Sequence, residues 1–384
     1  MSSEQLRITI GAGGAGGAVM GAGLVEAFPD ADVSIVVTTG DSGSKTGELR
    51  QLFGGPAVGD IRNILSAVSG NGAGPMFNHR FGREDSPETV RRLAAGMLGV
   101  IATEDTTRLD AIMERTITLS RQLPDGLAGH TFGNLVLTAL SQSHGGNLTP
   151  AVREAGTWLA ARAQVIPVTD EPHDLLMLDN GRLLHGEGVI DVHTVADTHS
   201  ARVWLENERG QKPQATEEAA TAIEKSDVFL LGPGSIFTSL LPVLAVDGVA
   251  KAIANQQHGG SFVAVANLVA EDHTATGLDL ADYTKLLENQ ADRQFDYVIY
   301  NHTEEGLPPG KVPIRYHSSH FDGFNTRAIG ANLVGLVLSR FDANDPISHL
   351  RSPVRHNVRA VAQVLRSHVL PPMQQTSYNA SGGL

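Results

Sequence analysis

The first residues that could do chemistry are glycines behind a short apolar segment, Leu6 to Ile10. Gly11, Gly13 and Gly16 have the spacing of a GxGxxG motif. A strand before this motif and a helix after it let backbone N–H groups approach a diphosphate, and the helix N-terminus adds partial positive charge. Glycines that only permit close packing of strand against helix would share this pattern. We predict a phosphate-binding turn formed by Gly11, Gly13, Gly14 and Gly16.

A second glycine-rich loop follows the next predicted strand, Val33 to Thr39. Residues 40 to 47 read GDSGSKTG, which departs from the Walker spacing because Ser44 separates Gly43 from Lys45. Hydroxyl groups and a lysine at the end of a strand can hold phosphate oxygens, and a carboxylate there can ligate Mg²⁺. An ordinary exposed turn is the alternative. We predict that Asp41, Ser42 and Lys45 bind the ligand, with Asp41 as the candidate Mg²⁺ ligand.

Two further segments place polar side chains at the start of a predicted helix. In Gly59 to Asn63 we expect Asp60 to act mainly as an N-cap, which leaves Arg62 and Asn63 for a ligand. In the segment that begins at Gly129, His130 and Asn134 are spaced to share one helical face. Such a pair in the first turn of a buried helix is expected to face a cleft, with a hydrogen-bonded buried pair as the alternative.

The strand-glycine-helix pattern recurs after the apolar segment Val228 to Leu231. Here the first helical turn would offer free N–H groups to a phosphate or a sugar hydroxyl. Two such turns at the carboxyl edge of one sheet would frame a crevice, which is where open α/β sheets bind ligands. We predict that Gly232, Gly234, Ser235 and Thr238 bind the ligand.

Composition excludes several other chemistries. The chain has no cysteine, so disulfides, thiolate metal sites and cysteine nucleophiles are excluded. The 15 histidines show no metal-ligand spacing, and no Gly-x-Ser-x-Gly elbow supports serine hydrolysis. We expect His193, His317 and His320 to be surface residues. A net charge of -13 argues against unspecific binding to nucleic acid or anionic membranes, since both need basic surface.

These residues must be positioned by strands that alternate with helices along the chain. This alternation predicts an α/β fold with a Rossmann-like, doubly wound, mostly parallel sheet and helices on both faces. Residues 175 to 206 are predicted as a small antiparallel hairpin insertion around Asp179-Asn180-Gly181, and residues 84 to 121 as a helix-rich stretch without an assigned role. We expect one domain over residues 1–370, whose last helix carries an apolar stripe from Val358 to Val369, and a disordered tail over residues 371–384. With no targeting segment or membrane span, a cytoplasmic protein is expected.

Taken in chain order, these segments resemble the YvcK type of the CofD-like family. The resemblance extends from about Leu6 to Val369. Gly59 to Asn63 and Leu231 to Ser239 are the most specific matches. The resemblance implies a Rossmann-like core with a nucleotide-type ligand in its crevice. YvcK members bind UDP-sugars such as UDP-N-acetylglucosamine and support gluconeogenic growth, cell shape and envelope integrity, whereas CofD members are magnesium-dependent transferases of 2-phospho-L-lactate onto a deazaflavin acceptor. Residues 41–50, 129–140, Gly186-Glu187 and Arg355-His356 also resemble the family.

The chain departs from the family pattern at two places. Ser42 stands where a second aspartate is usual, which weakens the prediction of a two-carboxylate magnesium site. The segment from Asn267 to Gly277 keeps little of the family pattern beyond Asn267, which we include among the ligand-binding residues.

The favoured hypothesis is a UDP-sugar-binding protein that regulates carbon metabolism and the cell envelope. One alternative is a CofD-type transferase, in which Asp41 would be catalytic and Mg²⁺ the cofactor. Another is an NAD-dependent oxidoreductase, against which the lack of a well-placed ribose-binding acid argues. The expected partner is a nucleotide or nucleotide-sugar rather than a nucleic acid, and a homo-oligomer is compatible with each hypothesis.

Overall fold

Strands and helices alternate along most of the chain. The computed structural model describes residues 5–41, 43–101, 106–198, 200–271, 274–275, 277–337 and 354–370. Ser42 and the predicted tail at residues 371–384 lie outside this range. The strands are β1 (Arg7–Ala12), β2 (Asp32–Val37), β3 (Gln164–Pro167), β4 (His173–Asp179), β5 (Arg182–His185), β6 (Arg202–Asn207), β7 (Val228–Leu231), β8 (Ser261–Val265), β9 (Tyr297–Asn301), β10 (Arg327–Ala331), β11 (Val334–Val337) and β12 (Val354–His356).

Seven strands form the central sheet, in the order β10-β9-β8-β7-β1-β2-β3, and every neighbouring pair is parallel. The chain first builds outward from β1 through β2 to β3. It then returns to the other side of β1 and continues from β7 to β10. This reversal between β1 and β7 is the topological switch point of a doubly wound sheet, whose carboxyl side is the usual ligand crevice. The predicted α/β, Rossmann-like fold is confirmed.

Helices cover both faces of this sheet. Successive residues of a strand point to opposite faces, and β7 shows the result: Val228 and Leu230 belong to one hydrophobic core, Phe229 and Leu231 to the other. The helices are α1 (Gly14–Ala27), α2 (Ser44–Phe53), α3 (Gly59–Val68), α4 (Gly74–Phe77), α5 (Pro87–Leu98), α6 (Thr106–Ser120), α7 (Phe132–Ser143), α8 (Leu148–Trp158), α9 (Glu187–Ile190), α10 (Glu217–Glu224), α11 (Leu241–Ala245), α12 (Val249–Ala254), α13 (Leu280–Ala291) and α14 (Val358–Val364).

The helix-rich stretch from residue 84 to 121 forms α5 and α6, as expected. Their apolar faces contribute Val90, Met97, Leu109 and Met113 to the same core as β1. A capping box at Ser86 begins α5 and uses the side chain of Thr89. The stretch therefore adds a helical layer behind α7, and none of its described residues, 84–101 and 106–121, lines the cavity described below.

The predicted hairpin insertion is confirmed as a three-stranded antiparallel sheet in the order β5-β4-β6. Asn180 and Gly181 both have positive φ, as a two-residue hairpin turn requires. Asp179 is buried in this sheet and accepts a 2.8 Å hydrogen bond from the His193 ring. The His193 side chain is 15% exposed, so it is less exposed than predicted, whereas His317 and His320 are exposed as expected.

The last helix also agrees with its prediction. The apolar stripe at Val358, Val361 and Leu365 is buried, although α14 ends at Val364 and a π-helical turn, Leu365–Val369, completes the segment. A similar π-helical turn, Ile236–Leu240, stands before α11. Among the described residues, no helix has the length and apolar character that crossing a membrane requires.

Candidate functional site

A cavity of about 700 Å³ opens at the carboxyl ends of β1 and β7. The predicted turns after these two strands meet there, because Gly11 and Leu231 are paired neighbours in the sheet. Asn63 reaches the same place from α3 and donates a 3.3 Å hydrogen bond to the Gly14 carbonyl. Of the predicted residues, the cavity is lined by Gly13, Gly14, Gly16, Asp41, Lys45, Arg62, Asn63, Asn134, Gly234, Ser235, Thr238 and Asn267.

Close backbone approach explains the glycines of the first turn. A Cβ on Gly13 would lie 2.7 Å from Thr38 and 2.8 Å from an Asp60 oxygen, and a Cβ on Gly16 would lie 2.6 Å from the Pro233 carbonyl oxygen. Larger residues would push the two turns apart. Tight packing and ligand approach therefore both require glycine here, so the two interpretations of the motif are compatible.

Two predicted glycines do not line the cavity. Gly11 lies inside β1, where a Cβ would meet the Phe229 and Leu231 side chains at 3.0 Å. Gly232 has a φ of 89° and faces the Val265 carbonyl oxygen, 2.9 Å from where its Cβ would stand. Both glycines have packing reasons for their identity that do not involve a ligand.

Several cationic side chains line the cavity. Lys45 comes from the first turn of α2, Arg62 from α3 and Arg80 from the segment before α5. The Arg62 guanidinium donates to Asn78 and, at 3.3 Å, to the Asn134 side chain. Arg62 is 7% exposed and Asn134 is 4% exposed, so the two asparagines fix the arginine in a single orientation.

Carboxyl groups also line the cavity. Asp41 and Glu187 share a hydrogen bond between their side chains, and Asp191 is hydrogen bonded to Thr238. Burial raises the pKa of Glu187 well above its usual value, and the nearby Asp41 raises it further. Burial likewise raises the pKa of Asp191, against the lowering effect of the Thr238 hydroxyl. The Asp41 and Glu187 pair can therefore retain a proton between its carboxyl groups, or bind a cation in its place.

The second glycine turn differs from its prediction because a carboxylate of the protein already occupies it. Glu271 accepts hydrogen bonds from the Ile236 backbone N–H at 3.0 Å and from the Ser235 hydroxyl at 3.1 Å. It also accepts from Thr274 and, at 3.3 Å, from Asn267. The predicted free N–H groups for a phosphate are thus wrong at Ile236, since an internal anion satisfies the helix N-terminus.

Two local predictions about helix starts are also wrong. The N-cap of α3 is Val58, so Asp60 lies inside the first turn, and its carboxyl points towards Gly13. His130 precedes α7, whose N-cap is Thr131, because the bridge between Arg80 and Thr131 holds this segment extended. His130 and Asn134 therefore do not share a helical face. The His130 ring is fully buried, outside the cavity, with Nε2 3.5 Å from Glu48.

A family model described as "2-phospho-L-lactate transferase CofD" matches residues 8–328. The chain belongs to the CofD family. An Aquifex aeolicus relative is 31% identical over 65% of this chain and 67% of its own length. A Deinococcus radiodurans relative is 28% identical over 87% of this chain and 61% of its own length. Both are named "Putative gluconeogenesis factor". A Listeria innocua relative named "Gluconeogenesis factor" is 27% identical over 86% of this chain and 89% of its own length.

Solved structures agree on the fold of this CofD-family protein. A Bacillus halodurans protein described as a member of the UPF0052 family superposes with a TM-score of 0.70 at 21% sequence identity. The superposition covers 95% of this chain and 99% of that one. At this identity the likeness concerns the fold alone.

Several cavity residues of this CofD-family protein were missed by sequence reasoning. Arg80, Asp191 and Glu271 stand in no local motif, and all three lie outside the named helices and strands. Glu187, Arg355 and His356 did carry a signal, since Gly186-Glu187 and Arg355-His356 are among the segments that resemble the family. Lys311 also lines the cavity, as does Asp60, which was expected to act mainly as an N-cap.

The expected Mg²⁺ ion would need oxygen ligands from the side chains beside the cavity. Over the described ranges, the His, Asp and Glu side chains form no group of three or more that could hold a metal ion. The Asp41 and Glu187 pair still offers hard oxygen donors beside the cavity. Mg²⁺ is usually bound by one or two carboxylates together with the phosphates of a substrate. The pair therefore fits a Mg²⁺ ion that arrives with a diphosphate ligand.

Proposed function

We propose that this CofD-family protein binds a nucleotide-sugar of the UDP class and that binding has a regulatory role in carbon metabolism. The observation that carries the proposal is the meeting of the Gly13 turn with Lys45, Arg62 and Arg80 around one cavity. Backbone N–H groups and cationic side chains together are the standard recognition elements for a diphosphate. The cavity volume of about 700 Å³ falls within the range of about 300–1,000 Å³ that is typical of small-molecule sites.

The occupied second turn supports one orientation of such a ligand. Because Glu271 already accepts from the N-terminus of the helical segment at Ile236, we expect the diphosphate at the Gly13 turn, near Lys45 and Arg62. Polar groups that remain along the cavity, such as the Asn63 amide, could then contact the base or the sugar. The apolar stretch at Leu268, Val269 and Ala270 offers a surface for the flat base.

The regulatory part of the proposal rests on the relatives. The Listeria innocua protein carries the name "Gluconeogenesis factor" and aligns over most of both chains. A protein that binds a nucleotide-sugar without converting it needs no general base. Roles in cell shape and the cell envelope are a further part of this proposal and come from the resemblance to YvcK-type proteins.

Calorimetric titration tests the binding proposal directly. Purified protein would be titrated with UDP-N-acetylglucosamine, UDP, uridine and NAD, with and without Mg²⁺. Micromolar binding of the uridine diphosphates without any metal requirement is the expected result. Tight binding of NAD together with no binding of UDP would contradict the proposal and would favour an oxidoreductase.

A second candidate function is a transferase of the CofD class, and the Asp41 and Glu187 pair is the observation that favours it. Two hydrogen-bonded carboxyl groups beside a diphosphate site can take up Mg²⁺ in exchange for a proton. Bound Mg²⁺ would supply charge stabilisation on a phosphate oxygen. Here Asp41 would hold the ion, and Arg62 would orient the phosphate of the substrate.

The magnesium dependence of the titrations separates the two functions. If the protein is a transferase, Mg²⁺ should tighten UDP binding, and Asp41→Asn should remove that gain. Asp247→Asn is a matched control, because Asp247 bonds to Gln214 and neighbouring backbone and, among the described residues, does not line the cavity. Identical affinities with and without Mg²⁺ would argue for binding alone.

A further inference from the structure

Lys45 is held in place by residues that the proposed function does not use. It lies in the first turn of α2, and its ammonium forms a 2.5 Å ion pair with Glu48, one turn further along the same helix. Lys45 lines the cavity, whereas Glu48 is not among the described lining residues. The cation therefore faces the ligand, and its counter-charge lies behind it.

A glycine leaves room for the lysine stem. Gly129 has a φ of 82°, and a Cβ there would lie 3.3 Å from Cγ and 3.8 Å from Cε of Lys45. The Gly129 carbonyl accepts a 2.8 Å hydrogen bond from Arg80, another cation of the cavity. The aliphatic part of Lys45 thus runs along a fixed backbone surface, which limits its rotamers.

His130 closes the space behind Glu48. Its ring is fully buried, and Nε2 lies 3.5 Å from the second oxygen of Glu48. Burial lowers the pKa of His130, against the raising effect of Glu48, and so favours the neutral ring. A neutral ring does not compete with Lys45 for the charge of Glu48, and it keeps that oxygen away from water.

We infer that Glu48, supported by His130, is a positioning residue that holds the Lys45 ammonium against the phosphate group of the ligand. This inference rests on the proposed binding of a nucleoside diphosphate. A free lysine loses rotamer freedom when it binds a phosphate, whereas a lysine that is already clamped loses less. The lysine's contribution to phosphate affinity should therefore depend on Glu48.

The negative charge of Glu48 by itself should weaken phosphate binding, because a carboxylate near the site repels an anionic ligand. Two substitutions separate the effects. Glu48→Ala removes both the clamp and the charge, whereas Glu48→Gln removes the charge and keeps an acceptor for Lys45. If positioning dominates, Ala weakens phosphate binding and Gln largely restores it.

The readout is the ratio of the dissociation constants for uridine and UDP, which isolates the diphosphate contribution. Lys45→Met should lower this ratio roughly tenfold, as the loss of a charge-assisted hydrogen bond does. Glu48→Ala should lower it about three- to tenfold, and Glu48→Gln no more than about twofold. The double variant Lys45→Met/Glu48→Ala should match Lys45→Met alone, because both changes act through one contact.

Controls distinguish this role from a general effect on folding. His130→Phe keeps the volume of the ring and should lower the ratio about two- to threefold with uridine affinity unchanged. Glu218→Ala, which breaks a surface ion pair with Arg153, should leave the ratio unchanged. A structural role of Glu48 would instead weaken uridine and UDP equally.

Two results would overturn the inference. Either the ratio stays at its wild-type value in Glu48→Ala, or Glu48→Ala binds UDP more tightly than wild type, in which case Glu48 withholds the lysine from the ligand. If the wild-type protein binds neither UDP nor inorganic pyrophosphate, the proposed function fails and the inference fails with it. Wild-type binding with an unchanged ratio removes the inference alone.

Discussion

The carboxylate of Glu271 accepts a 3.0 Å hydrogen bond from the Ile236 backbone N–H, at the start of the helical segment that follows the Gly234 turn. An internal anion thus occupies the position that a phosphate would take in the second glycine turn. At the first turn, an Asp60 carboxyl oxygen lies 2.8 Å from where a Cβ on Gly13 would stand. In the proposed binding mode the diphosphate lies at this first turn, where Gly13, Gly14 and Gly16 line the cavity.

Loss of the Glu271 side chain should destabilise the protein. Glu271→Ala leaves four donors without their acceptor, including the Ile236 N–H and the Ser235 hydroxyl. We expect the free energy of unfolding to fall by about 2 kcal/mol, measured by urea denaturation. Glu304→Ala is the control, because Glu304 is exposed and pairs with Arg315 at the surface, and it should cost less than about 0.5 kcal/mol. Equal losses for the two variants would contradict the assigned role of Glu271.

The stability conferred by Glu271 should also depend on pH. Burial raises its pKa above the usual 4.5, although hydrogen bonds from Thr274 and Ile236 lower it in part. The folded protein then binds a proton more tightly than the unfolded chain, so this residue contributes less stability as pH rises from 4.5 through its folded pKa.

Glu271→Gln does not titrate and provides the reference for this effect. The free energy of unfolding of wild type minus that of Glu271→Gln should fall as pH rises through this window, then level off. Urea denaturation of both proteins between pH 4 and 8 measures the difference. A difference that grows with pH would show that hydrogen bonding, and not burial, dominates the pKa.

Close contact between the two glycine turns predicts the effect of a single methyl group. Gly16→Ala would place a Cβ 2.6 Å from the Pro233 carbonyl oxygen, a backbone atom that cannot easily move. We expect a loss of about 1–3 kcal/mol in the free energy of unfolding and weaker binding of UDP.

Gly156→Ala is the matched control for that substitution. Gly156 lies within α8, and the nearest atoms would be 3.8 Å from the new Cβ. Alanine is favoured over glycine in a helix by roughly 0.5–1 kcal/mol, so this variant should be slightly more stable than wild type. Thermal unfolding of both variants and of wild type measures these changes in stability. A neutral result for Gly16→Ala would mean that the turns are less tightly packed than described.

The orientation of Arg62 predicts that lysine cannot replace it. The guanidinium bonds both Asn78 and Asn134, and the single ammonium of lysine cannot make both bonds in the same plane. Arg62→Lys should weaken UDP binding by roughly tenfold, which corresponds to about 1.4 kcal/mol. Arg153→Lys, at an exposed ion pair, should bind UDP as wild type does. Retention of full affinity in Arg62→Lys would show that only its charge matters.

Much of the fold could be predicted because its signals are local. The turn at Asn180-Gly181 requires positive φ at both positions, and the chain supplies residues that tolerate it. The meeting of Gly13 with Gly234 followed from the rule that carboxyl ends of parallel strands share one edge of a sheet. Predictions failed where a distant contact changed a local preference. His130 lies before the helix and not within it, because Arg80 pairs with Thr131. The segment from Gly129 to Asn134 carries no sequence pattern that predicts this pairing.

The amino-acid order alone settled the α/β class, the glycine turn after β1, and the presence of Asp41, Lys45, Arg62 and Asn63 near the ends of strands or the starts of helices. Spacing and periodicity suffice for these features because each depends on residues only a few positions apart. The folded chain decided which charges face one another. Glu187 comes to Asp41, and Glu271 to Ile236, from segments far away in the chain. Such pairings, and the burial that raises the pKa values of both glutamates, arise only when packing brings separate elements together and removes water from between them.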